Sequence, residues 1–253
     1  MRSEIFINSN YSHLKDFVDQ IPENFNCLGD VVHAGRNEIR IVTVNGTSLV
    51  IKYFKRIASV NRFIYAYIRK SKARRSYEHS LHLLNNGITS PEPIAYINCY
   101  KNGLLYMSYY VCLYTNYKPL EELLKLPVTE SEEALKAFAR FSLRLHKSGI
   151  FHYDYNVSNV LFRFSENEYD FSLIDNNRMR FRKYKYSRGI KNMNRLKIPV
   201  DCIGIIASEY AKEANTSDIK TLNAMTLVRL IYMERETAKK RIQSLKKLIL
   251  GKR

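Results

Sequence analysis

The chain has 253 residues, 45% of them hydrophobic and 12% aromatic, enough to bury a sizeable core and too apolar for a disordered chain. Its 41 Lys and Arg against 24 Asp and Glu give a formal charge of +17, which points to a polyanionic partner: nucleic acid, an anionic membrane surface or a negatively charged substrate. The four cysteines are scattered without a CxxC, so a disulfide framework or zinc site is not expected and a reducing cytoplasm is the default; the N-terminus lacks the layout of a signal peptide, and no apolar run reaches the roughly 18 residues of a membrane span.

In chain order, GDVVHAGRN predicts a first strand with a turn at Gly35. EIRIVTV and TSLVIKYF follow as a hairpin about Asn45-Gly46, the strongest short hairpin signal. Residues 57 to 86 carry apolar side chains at helical spacing, including Phe63, Ile64, Tyr67, Ile68, Tyr77, Leu81 and Leu84, and Gly87 with SPEP ends the pattern. IAYINCY and LLYMSYYVCLY flank Lys101-Asn102-Gly103 as a second hairpin. Helices are then predicted over Pro119–Lys125 and Thr129–Lys147, the latter with a Thr129/Glu132 capping box and a stop at Gly149. The C-terminal third ends in a helix rich in Lys and Arg. The fold class is therefore α+β: a small β-rich lobe with one inserted helix over residues 1–114 and a mostly helical lobe over 115–253.

Chemistry concentrates in FHYDYNVSNVLFRFSENEYDFSLIDNNR, residues 151 to 178. It presents Asp154, Asn159 and Asp175 in the order of a phosphoryl-transfer site, in which one carboxylate orients the acceptor hydroxyl while an amide and a second carboxylate hold magnesium against nucleotide phosphates. Lys52, on a strand between apolar residues, is the candidate cation for those phosphates. Glu78 on the following helix is its candidate ion-pair partner, although a surface carboxylate beside Arg74 and Arg75 is an equal reading. The Gly35-Arg36-Asn37 turn lacks GxGxxG, and an ordinary hairpin explains it as well as a phosphate loop. His152 is read as a packing or loop-orienting histidine.

These motifs resemble the lipopolysaccharide kinase family, the Kdo and heptose kinases of Gram-negative envelope synthesis, in a form similar to that of Bacteroides-type bacteria. LVIKYF, RKSKARRSYEHSLHLLNNGITSPEPIAYI, HYDYNVSNVLF and SLIDNNR carry the likeness, from about Val31 to Leu196. The resemblance implies a protein-kinase-like bilobal fold and transfer of phosphate from ATP, with Mg²⁺, to a sugar hydroxyl of the lipopolysaccharide core. It implies Lys52 and Glu78 at the nucleotide, Asp154 as catalytic base, Asn159 and Asp175 as metal ligands, and an adenine hinge near Tyr110 to Leu113; Gly35 stays a nucleotide candidate on its turn alone. Compared with protein kinases, the Gly-rich loop is degenerate, Asp175-Asn176-Asn177 replaces DFG, Tyr153 replaces the Arg of HRD, and no APE follows.

Positive charge gathers in three segments, Lys55 to Arg75, Arg178 to Lys197 and Arg229 onward. Arg180, Arg182 and Lys183 are the expected anionic-acceptor surface, and the cytoplasmic face of an inner membrane is a further expected partner. Alternative readings are an atypical protein or small-molecule kinase, a pseudokinase, and a basic nucleic-acid-binding protein without catalysis.

Overall fold

Two hairpin turns set the register of the main sheet. Asn45 and Gly46 (φ 49° and 78°) and Asn102 and Gly103 (φ 52° and 74°) supply the paired left-handed residues that a tight two-residue hairpin needs. The computed structural model describes residues 2–55, 57–196 and 198–249, without the side chains of 246–249. Arg56, Lys197 and the residues after 249, all within the basic segments, lie outside that description.

The described residues group into two units, Met1–Tyr117 with Ser172–Met179, and Lys118–Phe171 with Arg180–Arg253. The first is thus not a contiguous stretch ending at residue 114, because the segment carrying Asp175 belongs to it. Its elements are β1 (Arg2–Ile7), α1 (Lys15–Asn24), β2 (Asp30–Ala34), β3 (Glu38–Val44), β4 (Thr47–Tyr53), α2 (Ser59–Tyr67), α3 (Lys72–Asn85), β5 (Pro93–Lys101) and β6 (Leu104–Leu113). The strands form one antiparallel sheet in the order β1-β5-β6-β4-β3-β2.

Two expectations change here. The sheet begins at β1, not at residues 29–37, and β1 is an edge strand whose six residues are all at least partly exposed, so no alternating buried pattern announces it. The helical stretch of 57–86 is two helices, because Ser71 starts a new one: its hydroxyl accepts the Arg74 N–H at 3.1 Å.

Alternation along β4 sends its side chains to opposite faces. Leu49 and Ile51 join Val18, Ile21 and Phe25 in one fully apolar cluster. Val50 lies on the other face, against Phe54, Ala73, Tyr77, Tyr96, Tyr110 and Cys112, and Lys52 shares that face by the same alternation. Each fully buried Leu or Ile contributes roughly 1.5–3 kcal/mol, which holds the strand bearing Lys52 in register.

The second unit contains β7 (Lys118–Pro119), α4 (Leu120–Leu123), α5 (Val128–Lys147), β8 (Ile150–His152), β9 (Val160–Ser165), β10 (Glu168–Leu173), β11 (Met179–Phe181), α6 (Tyr186–Asn192), α7 (Val200–Glu213) and α8 (Asp218–Ile249). β10 and β11 each cross the boundary between units. The small strands form ladders β10-β9-β7 and β11-β8. The predicted capping box does not form. α5 starts at Val128 with Pro127 at the cap position, so Thr129 lies inside the first turn, and Ser131 Oγ donates to the Pro127 carbonyl at 3.2 Å. Gly149 does end the helix; its φ of 74° is left-handed. α5 packs on α7, where Arg140 meets Glu209 at 2.5 Å. Among the described residues no helix is long and apolar enough to cross a membrane.

Candidate active site

In the first unit, Lys52 Nζ donates to Asp175 Oδ1 at 2.7 Å, and the lysine side chain is only 13% exposed. Asp175 sits in the left-handed region (φ 57°, ψ 44°) just beyond the end of β10. α3 holds the residues after it. Arg75 Nη1 donates to the Asn177 carbonyl at 3.0 Å, and His79 Nδ1–H to the Asn176 carbonyl at 2.7 Å. Burial lowers the His79 pKa, in keeping with a neutral ring. The Asn176 amide donates to Ser80 Oγ and Ser90 Oγ, each at 2.9 Å, and the Asn177 amide to Asp175 Oδ1 at 2.5 Å. The Asp175 carboxylate is thus bonded directly, and the two residues that follow it are held by α3.

The expected Lys52–Glu78 pair is not formed. Glu78 is taken by Lys70 at 2.8 Å and Arg74 at 2.9 Å; burial alone would raise its pKa, but these two cations hold it below its ordinary value. Helical phase is the reason. Ser76, Ser80 and Leu83 form the buried stripe of α3, and Glu78 lies about 200° round the helix from both serines. The carboxylate that meets Lys52 comes instead from residue 175.

A second ammonium shares the Phe54 ring with Lys52. Lys72 Nζ and Lys52 Nζ each lie 5.6 Å from the centroid of the Phe54 ring. Half-buried Lys72 makes no ion pair among the described residues. Burial, then Arg36 and Arg75, lower its pKa, with Asp175 opposing them. So dense a group of cations about one carboxylate suits a polyanion. Gly35 lies in the β2–β3 turn, its N–H bonded to the Asn37 carbonyl at 3.0 Å. No left-handed φ requires glycine there.

In the second unit, β8 leads into a loop built around Asp154. The Asp154 N–H donates to His152 Nδ1 at 3.0 Å, and Asn159 Nδ2 donates to the Asp154 carbonyl at 2.9 Å. Asn192 Nδ2 donates to the His152 carbonyl at 2.9 Å, while its Oδ1 faces Nε2 of fully buried His146 at 3.2 Å. His152 is therefore the loop-orienting histidine expected. Arg195, which sequence reasoning missed, donates from Nη1 to Asp154 Oδ1 at 3.0 Å. Asp154, Ser158, Arg195 and Tyr232 border a cavity of about 590 Å³, within the size range of small-molecule sites.

Of the basic acceptor candidates, Arg180, Arg182 and Lys183 are all exposed. Arg180 lies 5.9 Å from the ring centroid of Tyr153, next to Asp154. Arg182 and Lys183 make backbone contacts, to the Gly149 carbonyl and the Arg188 guanidinium respectively. Asp154 and Asn159 thus share one unit, Lys52 and Asp175 the other, and Glu78 meets neither Lys52 nor Asp175.

No curated protein sequence matches this chain. Among solved structures, "WaaP in complex with acyl carrier protein" is similar in fold, with a TM-score of 0.63 at 17% identity, over 94% of this chain and 99% of that one. The profile of the lipopolysaccharide kinase (Kdo/WaaP) family matches residues 43–222, and the chain belongs to that family.

Proposed function

We propose that this ATP-dependent lipopolysaccharide kinase transfers the γ-phosphoryl group to a hydroxyl of a Kdo or heptose residue in the inner core, at the cytoplasmic face of the inner membrane. In this reading Lys52 and Lys72 meet the nucleotide phosphates. Asp154 accepts the proton of the acceptor hydroxyl, with Arg195 fixing the orientation of its carboxylate. Arg180, Arg182 and Lys183 face the anionic acceptor.

Magnesium fits the donor chemistry. The Asn159 amide nitrogen is committed to the Asp154 carbonyl, so its oxygen is the end left for a hard cation, and Asp175 contributes a carboxylate. When bound, the ion would neutralise charge on the transferring phosphoryl group. Asn159 and Asp175 would hold it, and Lys52 orients the Asp175 carboxylate for that task.

The observation that carries the reading is the Lys52–Asp175 bond at 2.7 Å, a strand ammonium and a turn carboxylate joined across 123 residues of sequence. The test is incubation with labelled ATP, Mg²⁺ and lipopolysaccharide cores truncated to Kdo or extended with heptose. Wild type should label one core, and Asp154→Asn should label it about 10²–10⁴-fold more slowly while still binding nucleotide. Equal labelling by both proteins would remove Asp154 from the base role, and no labelled core would remove the acceptor assignment.

A further inference from the structure

α2 turns its large apolar side chains outward. Val60, Phe63, Tyr67 and Ile68 are 72%, 52%, 65% and 72% exposed, and α2 has no fully buried residue. Val60, Phe63 and Tyr67 recur at helical spacing on one stripe, while Ile64, Tyr65 and Ala66 are half-buried and the helix rests on β6.

The patch continues onto the neighbouring β5–β6 hairpin. Phe63 and Tyr67 touch, with ring centroids 5.1 Å apart, and the Tyr67 hydroxyl reaches Gly103, where an added Cβ would meet it at 2.7 Å. Exposed Tyr106 lies beneath the Arg62 guanidinium, 5.5 Å from its ring centroid, and Lys101 stands 5.8 Å from the same ring.

Charge accompanies this surface. From Lys55 to Tyr77 the sequence holds eight Lys or Arg and no Asp or Glu. Several of these are occupied elsewhere, Lys70 and Arg74 by Glu78. Arg69, just past α2, and Lys101 are exposed on the patch itself. Aromatic and aliphatic side chains among cations form the pattern of a helix lying in a membrane interface, where rings sit at headgroup level and cations meet lipid phosphates. A helix of nine residues is far too short to span. A second copy is a poor occupant, because it would bring a like patch of a +17 chain against this one.

We propose that α2 and the Lys101–Tyr106 hairpin form a docking surface for an anionic lipid bilayer, seating the kinase on the membrane that carries its glycolipid acceptor. The choice of membrane rests on the function proposed above, but lipid binding is measured without ATP or acceptor, so either idea can fail alone.

The test is co-sedimentation of the full chain with phosphatidylcholine vesicles, with and without a minority of phosphatidylglycerol. Wild type should pellet with the anionic vesicles and at least about tenfold less with neutral ones, and Phe63→Ser with Tyr67→Ser should lose at least about tenfold in partitioning. The same double variant should phosphorylate a deacylated, water-soluble core at the wild-type rate and a vesicle-embedded one more slowly. Phe63→Leu keeps apolar bulk and should still bind. Should the double variant not fold, Arg69→Gln with Lys101→Gln reads the same surface through its charge. Unchanged partitioning in whichever of these two variants folds overturns the proposal. So does equal binding to neutral vesicles, or a sedimentation-velocity shift from dimer to monomer with vesicle binding intact.

Discussion

Acidification should destabilise this protein through one buried imidazole. His146 is fully buried, stacked on Phe151 at 5.4 Å, and bonded at both nitrogens. Asn192 spends its amide nitrogen on the His152 carbonyl, so its oxygen must accept from His146 Nε2–H. Nδ1 is then the unprotonated nitrogen, accepting from the Tyr210 hydroxyl at 2.9 Å. A second proton on the ring would put two donors face to face. Burial accordingly lowers the pKa from 6.5 to about 4. Between those values the unfolded chain binds the proton and the folded one does not, so stability falls as pH drops below about 6.5 and this contribution levels off near pH 4. At about 1.4 kcal/mol per pKa unit the loss is about 3 kcal/mol. Carboxylates titrate over the same range, so the quantity to read is a difference. Urea midpoints for wild type and His146→Gln should show the variant less stable at pH 7, with a gap that narrows by about 3 kcal/mol on reaching pH 4. A gap independent of pH would refute the depressed pKa.

Three further outcomes are expected. Lys72→Met should raise the KM for ATP about tenfold, about 1.4 kcal/mol of binding, with thermal stability unchanged or higher because a half-buried cation is removed; nucleotide titration and a melting curve read both. Gly149→Ala places a Cβ 2.7 Å from the Arg182 carbonyl oxygen at a φ of 74°, so a loss of about 1–3 kcal/mol is expected in denaturant titration. Arg180→Gln with Arg182→Gln should raise the acceptor KM several-fold and spare that for ATP. An unchanged acceptor KM in steady-state kinetics would remove these side chains from the acceptor surface.

Both hairpins were legible because Asn-Gly has one dominant use between apolar strands, and the bond between Asn159 and the Asp154 carbonyl follows a spacing of five residues that is visible in the sequence; the Lys52–Asp175 bond spans 123 residues and has no local pattern. β1 was not, since an exposed edge strand shows no buried alternation. Glu78 was misassigned for want of helical phase, which the sequence does contain. Placing Ser76, Ser80 and Leu83 on one stripe would have turned Glu78 away from Lys52 and brought Arg75 and His79 forward. Arg195 lies 41 residues from Asp154 and Lys72 is related to Lys52 only by the Phe54 ring both approach, so neither leaves a short-range pattern to find.

The first unit draws its last segment, Ser172–Met179, from far along the chain, and this has a consequence for birth on the ribosome. Lys52 waits through 123 residues for Asp175, about 6–25 s at ordinary synthesis rates. During that interval its ammonium lacks the carboxylate it will pair with, and Ser80 and His79 lack the Asn176 groups they will later meet. A nascent chain stalled before residue 172 is therefore expected to be protease-sensitive over the whole β-rich unit, and to gain resistance in one step when the missing turn emerges.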